Sequence, residues 1–218
     1  MSEDETSDPT DETASAPHDA HSKGNYFSDD YSSDDHLSDA HPSLGLARGT
    51  VDLAEYDTAW PEAYGAEVAR LRPRLGDSVL EFEHVGSTSV PGLAAKPIVD
   101  MLVLVSDLDA TDEVARTLSN AGYEERPNDD VPDRRFFARG PPSYRTHYLS
   151  VTERGSDCHR EQVAFRDALR SNRALAAAYE TLKRGLASDH PDARDVYTES
   201  KSGFVQSVLS GTNAPPDV

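Results

Sequence analysis

The chain has 218 residues, enough for one ordinary domain and short for two. Its 40 acidic and 21 basic residues give a net charge of -19, which argues against non-specific binding to nucleic acid or an anionic membrane but leaves room for a small anion in a local pocket. It has no apolar run of bilayer length and no basic leader, and its one cysteine, Cys158, cannot form an internal disulfide; together these predict a reducing, cytoplasmic setting.

Residues 1–44 carry 12 acidic residues and one lysine among Ser, His and Pro. So few apolar groups cannot offset chain entropy, so the segment is predicted to be a disordered acidic tail. Its histidines, His18, His21, His36 and His41, lack the spacing of a tetrahedral site and read as solvated. Tyr26, Phe27 and Tyr31 form its only sticky cluster. The remainder still holds 28 acidic against 20 basic residues. Basic positions are almost all arginine, with only Lys23, Lys96, Lys183 and Lys201 as lysines. That bias predicts a halophilic protein, in which salt screens the self-repulsion of carboxylates; the blander alternative is an ordinary acidic protein.

A folded domain is predicted over residues 45–212, with 213–218 a loose end. Residues 50–54 read as a first strand. Asp57 or Thr58 can cap a helix from Pro61 to about Arg74, whose Tyr64, Val68 and Leu71 share one face. Residues 78–85 alternate as a strand does, and 86–97 form a loop. Residues 98–105 are almost wholly apolar, as in a central strand buried on both faces. A helix over 110–120 ends at Gly122. Residues 134–139 and 145–152 are two further strands joined by a turn at Gly140-Pro-Pro-Ser-Tyr144. Helices follow at 157–170, 173–187 and 192–210. The elements read as an α/β domain with a helical C-terminal segment.

The chemistry concentrates in residues 83–100, Glu-His-Val-Gly-Ser-Thr-Ser-Val-Pro-Gly-Leu-Ala-Ala-Lys-Pro-Ile-Val-Asp. A strand running into Gly86-Ser87-Thr88-Ser89 can aim amides and hydroxyls at phosphate, glycine allowing close approach. Asp100 sits in a buried strand between Val99 and Met101. Burying a carboxylate costs several kcal/mol, on that order, unless it is paired or holds a metal; the alternative is a strand-end Asp that accepts hydrogen bonds from a loop. Walker and Gly-x-Gly-x-x-Gly signatures are absent.

The same segment resembles the signature of the GrpB family. Glu55-Tyr-Asp-Thr-Ala-Trp-Pro61 upstream fits that resemblance, as do Arg145-Thr-His-Tyr-Leu149, Phe165 to Arg170, Tyr179 to Lys183 and Tyr197 to Lys201 downstream. The family is similar to the nucleotidyltransferases. That implies an α/β fold of the α+β kind with a small mixed sheet flanked by helices, a Gly-Ser loop holding triphosphate (Gly86, Ser87, Thr88, Ser89), acidic strand residues holding magnesium (Asp100, with Glu83 or His84 as substitutes), and a nucleotide or coenzyme-A-like ligand. Magnesium-dependent nucleotidyl transfer and ligand binding without turnover both follow from it. The sequence departs from the active superfamily pattern at Leu102, where a second acid is expected, and at Leu149, where a second histidine is common. Asp100 and His147 are then what remains of the metal constellation.

Lysine scarcity singles out Lys96, Lys183 and Lys201, because an ammonium is a tunable point charge that arginine does not imitate. Lys183 and Lys201 each follow a tyrosine by four residues, one helical face. The three are either surface survivors or members of an anion site. Arg134, Arg135, Arg139 and Arg145 are either charge balance or a triphosphate clamp. His84 and His147 are either hydrogen-bonded strand residues or catalysts. Cys158, near a helix N-terminus where a thiol pKa can fall, reads as incidental. No feature of the sequence specifies an oligomeric state.

Overall fold

The computed structural model describes residues 43–126, 133–190 and 194–211, all within one compact unit. The expected tail, with its histidines and aromatic cluster, lies outside the described residues apart from its last two positions. The C-terminal segment beyond residue 211 lies outside them too.

Five strands form one mixed sheet: β1 Glu81–Val85, β2 Val99–Val105, β3 Tyr123–Glu125, β4 Arg135–Arg139 and β5 His147–Glu153. Their order across the sheet is β1-β2-β5-β4-β3. Only β2 and β5 run parallel; the other pairs are antiparallel. The parallel pair needs a crossover, which here contains helix α2 (Asp112–Asn120) and strands β3 and β4. Five further helices complete the domain: α1 Ala59–Leu75, α3 Asp157–Ser171, α4 Arg173–Asp189, α5 Arg194–Ser200 and α6 Ser202–Leu209.

Side chains of β2 alternate between two cores, which is why its sequence is apolar throughout. Val99, Met101, Val103 and Val105 join Trp60, Leu71 and Leu118 beneath α1 and α2. Leu102 and Leu104 meet Val85 and Val163 beneath α3. Behind them Val90 and Leu93 pack with Leu169, Tyr179 and Phe204 from α3, α4 and α6.

Caps account for several helix starts. Asp57 Oδ1 accepts from Ala59 N–H at 2.8 Å, Ser156 Oγ from His159 N–H at 3.2 Å and Asn172 Oδ1 from Leu175 N–H at 3.1 Å.

Four expectations need correction. Residues 50–54 are not a strand; they contribute a single bridge, Ala54 to Ala95. The three-residue β3 was not expected, because Gly122 ends the helix and a strand this short has no period to read. The helix expected over 192–210 is two helices meeting at Lys201. The domain starts before residue 45: Leu44 is 2 % exposed within the main core, and its carbonyl accepts from Tyr144 Oη.

Candidate functional site

The β1–β2 connection builds the site. After β1 the chain turns at Gly86, whose φ of 67° and ψ of -174° suit glycine alone. A Cβ there would run into Asp100 Oδ2 and lie 2.9 Å from Asp100 Cβ. Val85 and Asp100 are register partners, so the carboxylate of β2 occupies the space that the glycine leaves open.

A helical turn, Ser87–Ser89, follows. The first amides of such a turn have no acceptor within it. Ser89 closes the turn, donating from Oγ to Gly86 O at 2.6 Å. Arginines of α3 brace it from behind: Arg170 Nε and Nη2 donate to Ser89 O at 2.9 and 2.7 Å, and Arg166 Nη1 donates to His84 O at 3.1 Å.

Lysine 183 comes from α4. It is 1 % exposed. Its Nζ lies 3.1 Å from Ser87 Oγ, donates to Ala94 O and sits 4.9 Å from the Tyr179 ring centroid. The Tyr179 hydroxyl lies within the electrostatic reach of Ser87 and Asp100. Lys96 from the loop and Lys201 from the α5–α6 junction both lie over the buried Tyr197 ring, with Nζ at 5.3 and 4.4 Å from its centroid.

Burial is the main force lowering the Lys183 pKa, to about 7, and the charges of Lys201, Arg184 and Lys96 add to it, opposed by Glu180. Burial also pushes the Tyr179 and Tyr197 hydroxyls up, so both are neutral. Lys183, distant in sequence, thus joins Ser87 of the turn, and Lys96 and Lys201 lie near enough for their charges to act on it. Three ammonium-bearing side chains gather here in a chain of net charge -19.

Other expected site residues lie elsewhere. His147 pairs with Val99 in the parallel register, so it faces α1 while Asp100 faces the α3 side. A constellation of Asp100 with His147 is therefore excluded by strand alternation. His147 is 5 % exposed; burial lowers its pKa to about 4, and its Nε2 has no hydrogen-bond partner among the described residues. His84 faces α1 too, stacked on Tyr64 at 4.7 Å, with Nε2 3.1 Å from Thr88 Oγ1. Burial, then Arg170 and Arg166, lower its pKa to about 3, leaving it neutral. Thr88 and Ser89 point inward, 1 % and 4 % exposed, and hold the turn's shape.

Glu83 lies on the Asp100 face, but Arg166 Nη1 holds it at 2.5 Å. Arg145 is buried on Gly140 O and Glu124 at the hairpin, Arg135 pairs with Glu125 and Asp112, and Arg139 pairs with Glu67. These three are charge balance, not a clamp. Burial raises the Cys158 thiol pKa, against the lowering that a helix start could give.

A two-metal centre needs several convergent carboxylates. Beside Asp100 the face presents Leu102 and an arginine-bound Glu83. Among the described residues no three His, Cys, Asp or Glu side chains are placed to hold a metal. The donor set therefore does not fit a magnesium pair.

Two features escaped the sequence reading. Arg166 and Arg170 share a face of α3 at i, i+4 spacing, which was the available signal for their role as a brace. Glu67, 3 % exposed, receives Arg139 at 2.8 Å, Arg70 at 2.5 and 2.9 Å, and Tyr123 at 2.7 Å; nothing local in the sequence announces this network.

A family model described as GrpB protein matches residues 50–210. Glutamate-rich protein GrpB of Alkalihalophilus pseudofirmus is 32% identical over 171 residues, covering 77% of this chain and 98% of its own length. UPF0157 protein YqkA of Bacillus subtilis is 32% identical over 158 residues; the match covers 72% of this chain and 46% of YqkA, so it spans about half of that relative. The crystal structure of conserved protein GrpB from Enterococcus faecalis superposes with a TM-score of 0.67 at 37% identity, covering 73% of this chain and 96% of that one. No helix among the described residues is long and apolar enough to cross a membrane.

Proposed function

This chain belongs to the GrpB family, and from that premise we propose that it binds a phosphate-bearing ligand, a nucleoside polyphosphate or coenzyme-A-like molecule, at the Gly86–Ser89 turn. The reading rests on one observation: Lys183 reaches Ser87 of the turn, and Lys96 and Lys201 gather over the Tyr197 ring, near enough for their charges to act on Lys183. Ammonium groups kept apart by a covalent framework repel one another, and a polyanion relieves that repulsion while forming charge-assisted hydrogen bonds. The ligand's charge is met chiefly by Lys96 and Lys201 in place of a metal. Ser87 Oγ and the turn's leading amides supply further donors, as at other anion-binding turns. Asp100 disfavours an anion directly over Gly86 and suits a ligand hydroxyl or amine. The arrangement is nucleotidyltransferase-like in its Gly-Ser turn and poor in the carboxylates of two-metal transfer, so binding is favoured over fast nucleotidyl transfer.

A thermal-stabilisation screen with nucleoside triphosphates, coenzyme A and its precursors tests this, with and without magnesium. A ligand at 100 times its Kd stabilises by about 2.7 kcal/mol. The expected hit stabilises in the absence of magnesium. Failure of every phosphate ligand, in both conditions, would refute the reading.

A further inference from the structure

Ser87 and Lys183 form a pair that anion binding alone does not require. A lysine that only attracts phosphate is best left hydrated and exposed; Lys183 is instead buried to 1 %. Its Nζ is placed between Ser87 Oγ at 3.1 Å and Ala94 O. Tyr179, one turn earlier on α4, covers the amine with its ring, whose centroid lies 4.9 Å from Nζ. Ser87 itself is only half-buried, while Lys183 is covered.

We propose that Ser87 is a nucleophile, that Lys183 is its general base, and that the substrate class is a phosphate anhydride or activated phosphate ester. The proposal rests on the phosphate-site reading above. It meets the geometric requirement for an activated serine: nucleophile and base within hydrogen-bond reach, and the base oriented by a third group. A neutral amine has two N–H groups and a lone pair. Donation to Ala94 O fixes one N–H, and the lone pair is then available to the Ser87 O–H. The neutral form is accessible because burial, Lys201 and Lys96 disfavour the ammonium, against Glu180; Arg184 acts in the same sense as the lysines, and Tyr179 facing it is neutral.

The step balances as follows. Ser87 Oγ attacks the terminal phosphorus and forms the new P–O bond, while its proton passes to Lys183 Nζ. The bond from phosphorus to the departing oxygen breaks, and its electron pair leaves with the departing phosphate or alkoxide. Lys96 and Lys201 neutralise that charge as it develops. Water attack on the phosphoserine, with Lys183 returning its proton to Ser87 Oγ, resets the site.

The test uses the full chain and a neutral fluorophosphonate, which reports serine nucleophilicity without needing the anion site. Oγ attack on its phosphorus expels fluoride, and the adduct is located by peptide mass. Labelling is expected at Ser87, absent in Ser87→Ala, slowed about 100-fold or more in Lys183→Met, and blocked by tripolyphosphate. The wild-type labelling rate should rise as pH passes through about 7, where the Lys183 amine loses its proton; this holds the proposal to account even where Lys183→Met does not fold. No labelling of Ser87 while tripolyphosphate still binds would overturn the nucleophile and leave the binding reading standing. Labelling of Ser87 that tripolyphosphate does not block would uphold the nucleophile and overturn the phosphate site. A labelling rate that is flat across pH 5.5–8.5, about 1.5 units either side of neutrality, would remove Lys183 as the base.

Discussion

Replacing Gly86 with alanine should destabilise the domain severely for so small a change. The backbone there, at φ 67° and ψ -174°, lies in a region that only glycine occupies without strain, a penalty of about 1–3 kcal/mol. The added methyl would also meet Asp100 Oδ2 and sit 2.9 Å from Asp100 Cβ. A carboxylate can rotate away, but the Cβ belongs to the central strand and cannot. Overpacking of this kind costs about 1–3 kcal/mol, so the expected loss is roughly 2–6 kcal/mol. At about 2–4 °C per kcal/mol for a domain of this size, the thermal midpoint should fall by roughly 4–24 °C. Urea unfolding of wild type, Gly86→Ala, Asp100→Ala and the double variant measures the loss of free energy. In the Asp100→Ala background the glycine penalty should shrink without vanishing, since the dihedral strain and the Cβ remain. A Gly86→Ala protein within about 0.5 kcal/mol of wild type would show that Asp100 does not pack over the turn.

Glu67 is held to a pKa of about 2 against an ordinary 4.5: burial works the other way, and the Arg70 hydrogen bond with the charges of His147, Arg139 and Arg70 overcomes it. A carboxylate with a lowered folded pKa stabilises fully above its unfolded value, and that contribution, about 3 kcal/mol, is lost as pH falls from 4.5 toward 2. Acid unfolding monitored by circular dichroism should lose that component in Glu67→Gln. Glu67→Ala, which leaves Arg139 and Tyr123 without their partner, should cost about 3–5 kcal/mol at neutral pH by urea unfolding. The acidic excess predicts a thermal midpoint that rises between 0.1 and 1 M salt, as the Debye length shrinks from ~10 to ~3 Å; a flat or falling midpoint would remove the halophilic reading.

The sheet core was legible because β2 is apolar on both faces and the helices carry caps, stripes and prolines. The candidate site was approached through an unusual route. In a chain that uses arginine almost everywhere, the few retained lysines drew notice, and the fold brings Lys96, Lys183 and Lys201 near one another. Facing was harder to read. Sequence alone places Asp100 and His147 on two strands but gives neither their pairing nor the register, and a shift of one residue moves a side chain to the opposite face. The register pairs His147 with Val99, which carries it beneath α1. Long-range partners were out of reach for the same reason. Glu67 with Arg139, or Arg166 with Glu83, join elements whose meeting is decided by the whole fold.

The lysine site itself is tested most directly by calorimetric titration of the full chain with tripolyphosphate in magnesium-free buffer, wild type against Lys96→Met/Lys201→Met. Both lysines lie over the Tyr197 ring. At about 1.5 kcal/mol or more for each charge-assisted hydrogen bond, the double variant should bind about 100-fold more weakly or worse. It should keep the wild-type unfolding midpoint in urea. Equal affinity in the two proteins, or binding that appears only when magnesium is added, would contradict a phosphate site built from ammonium groups.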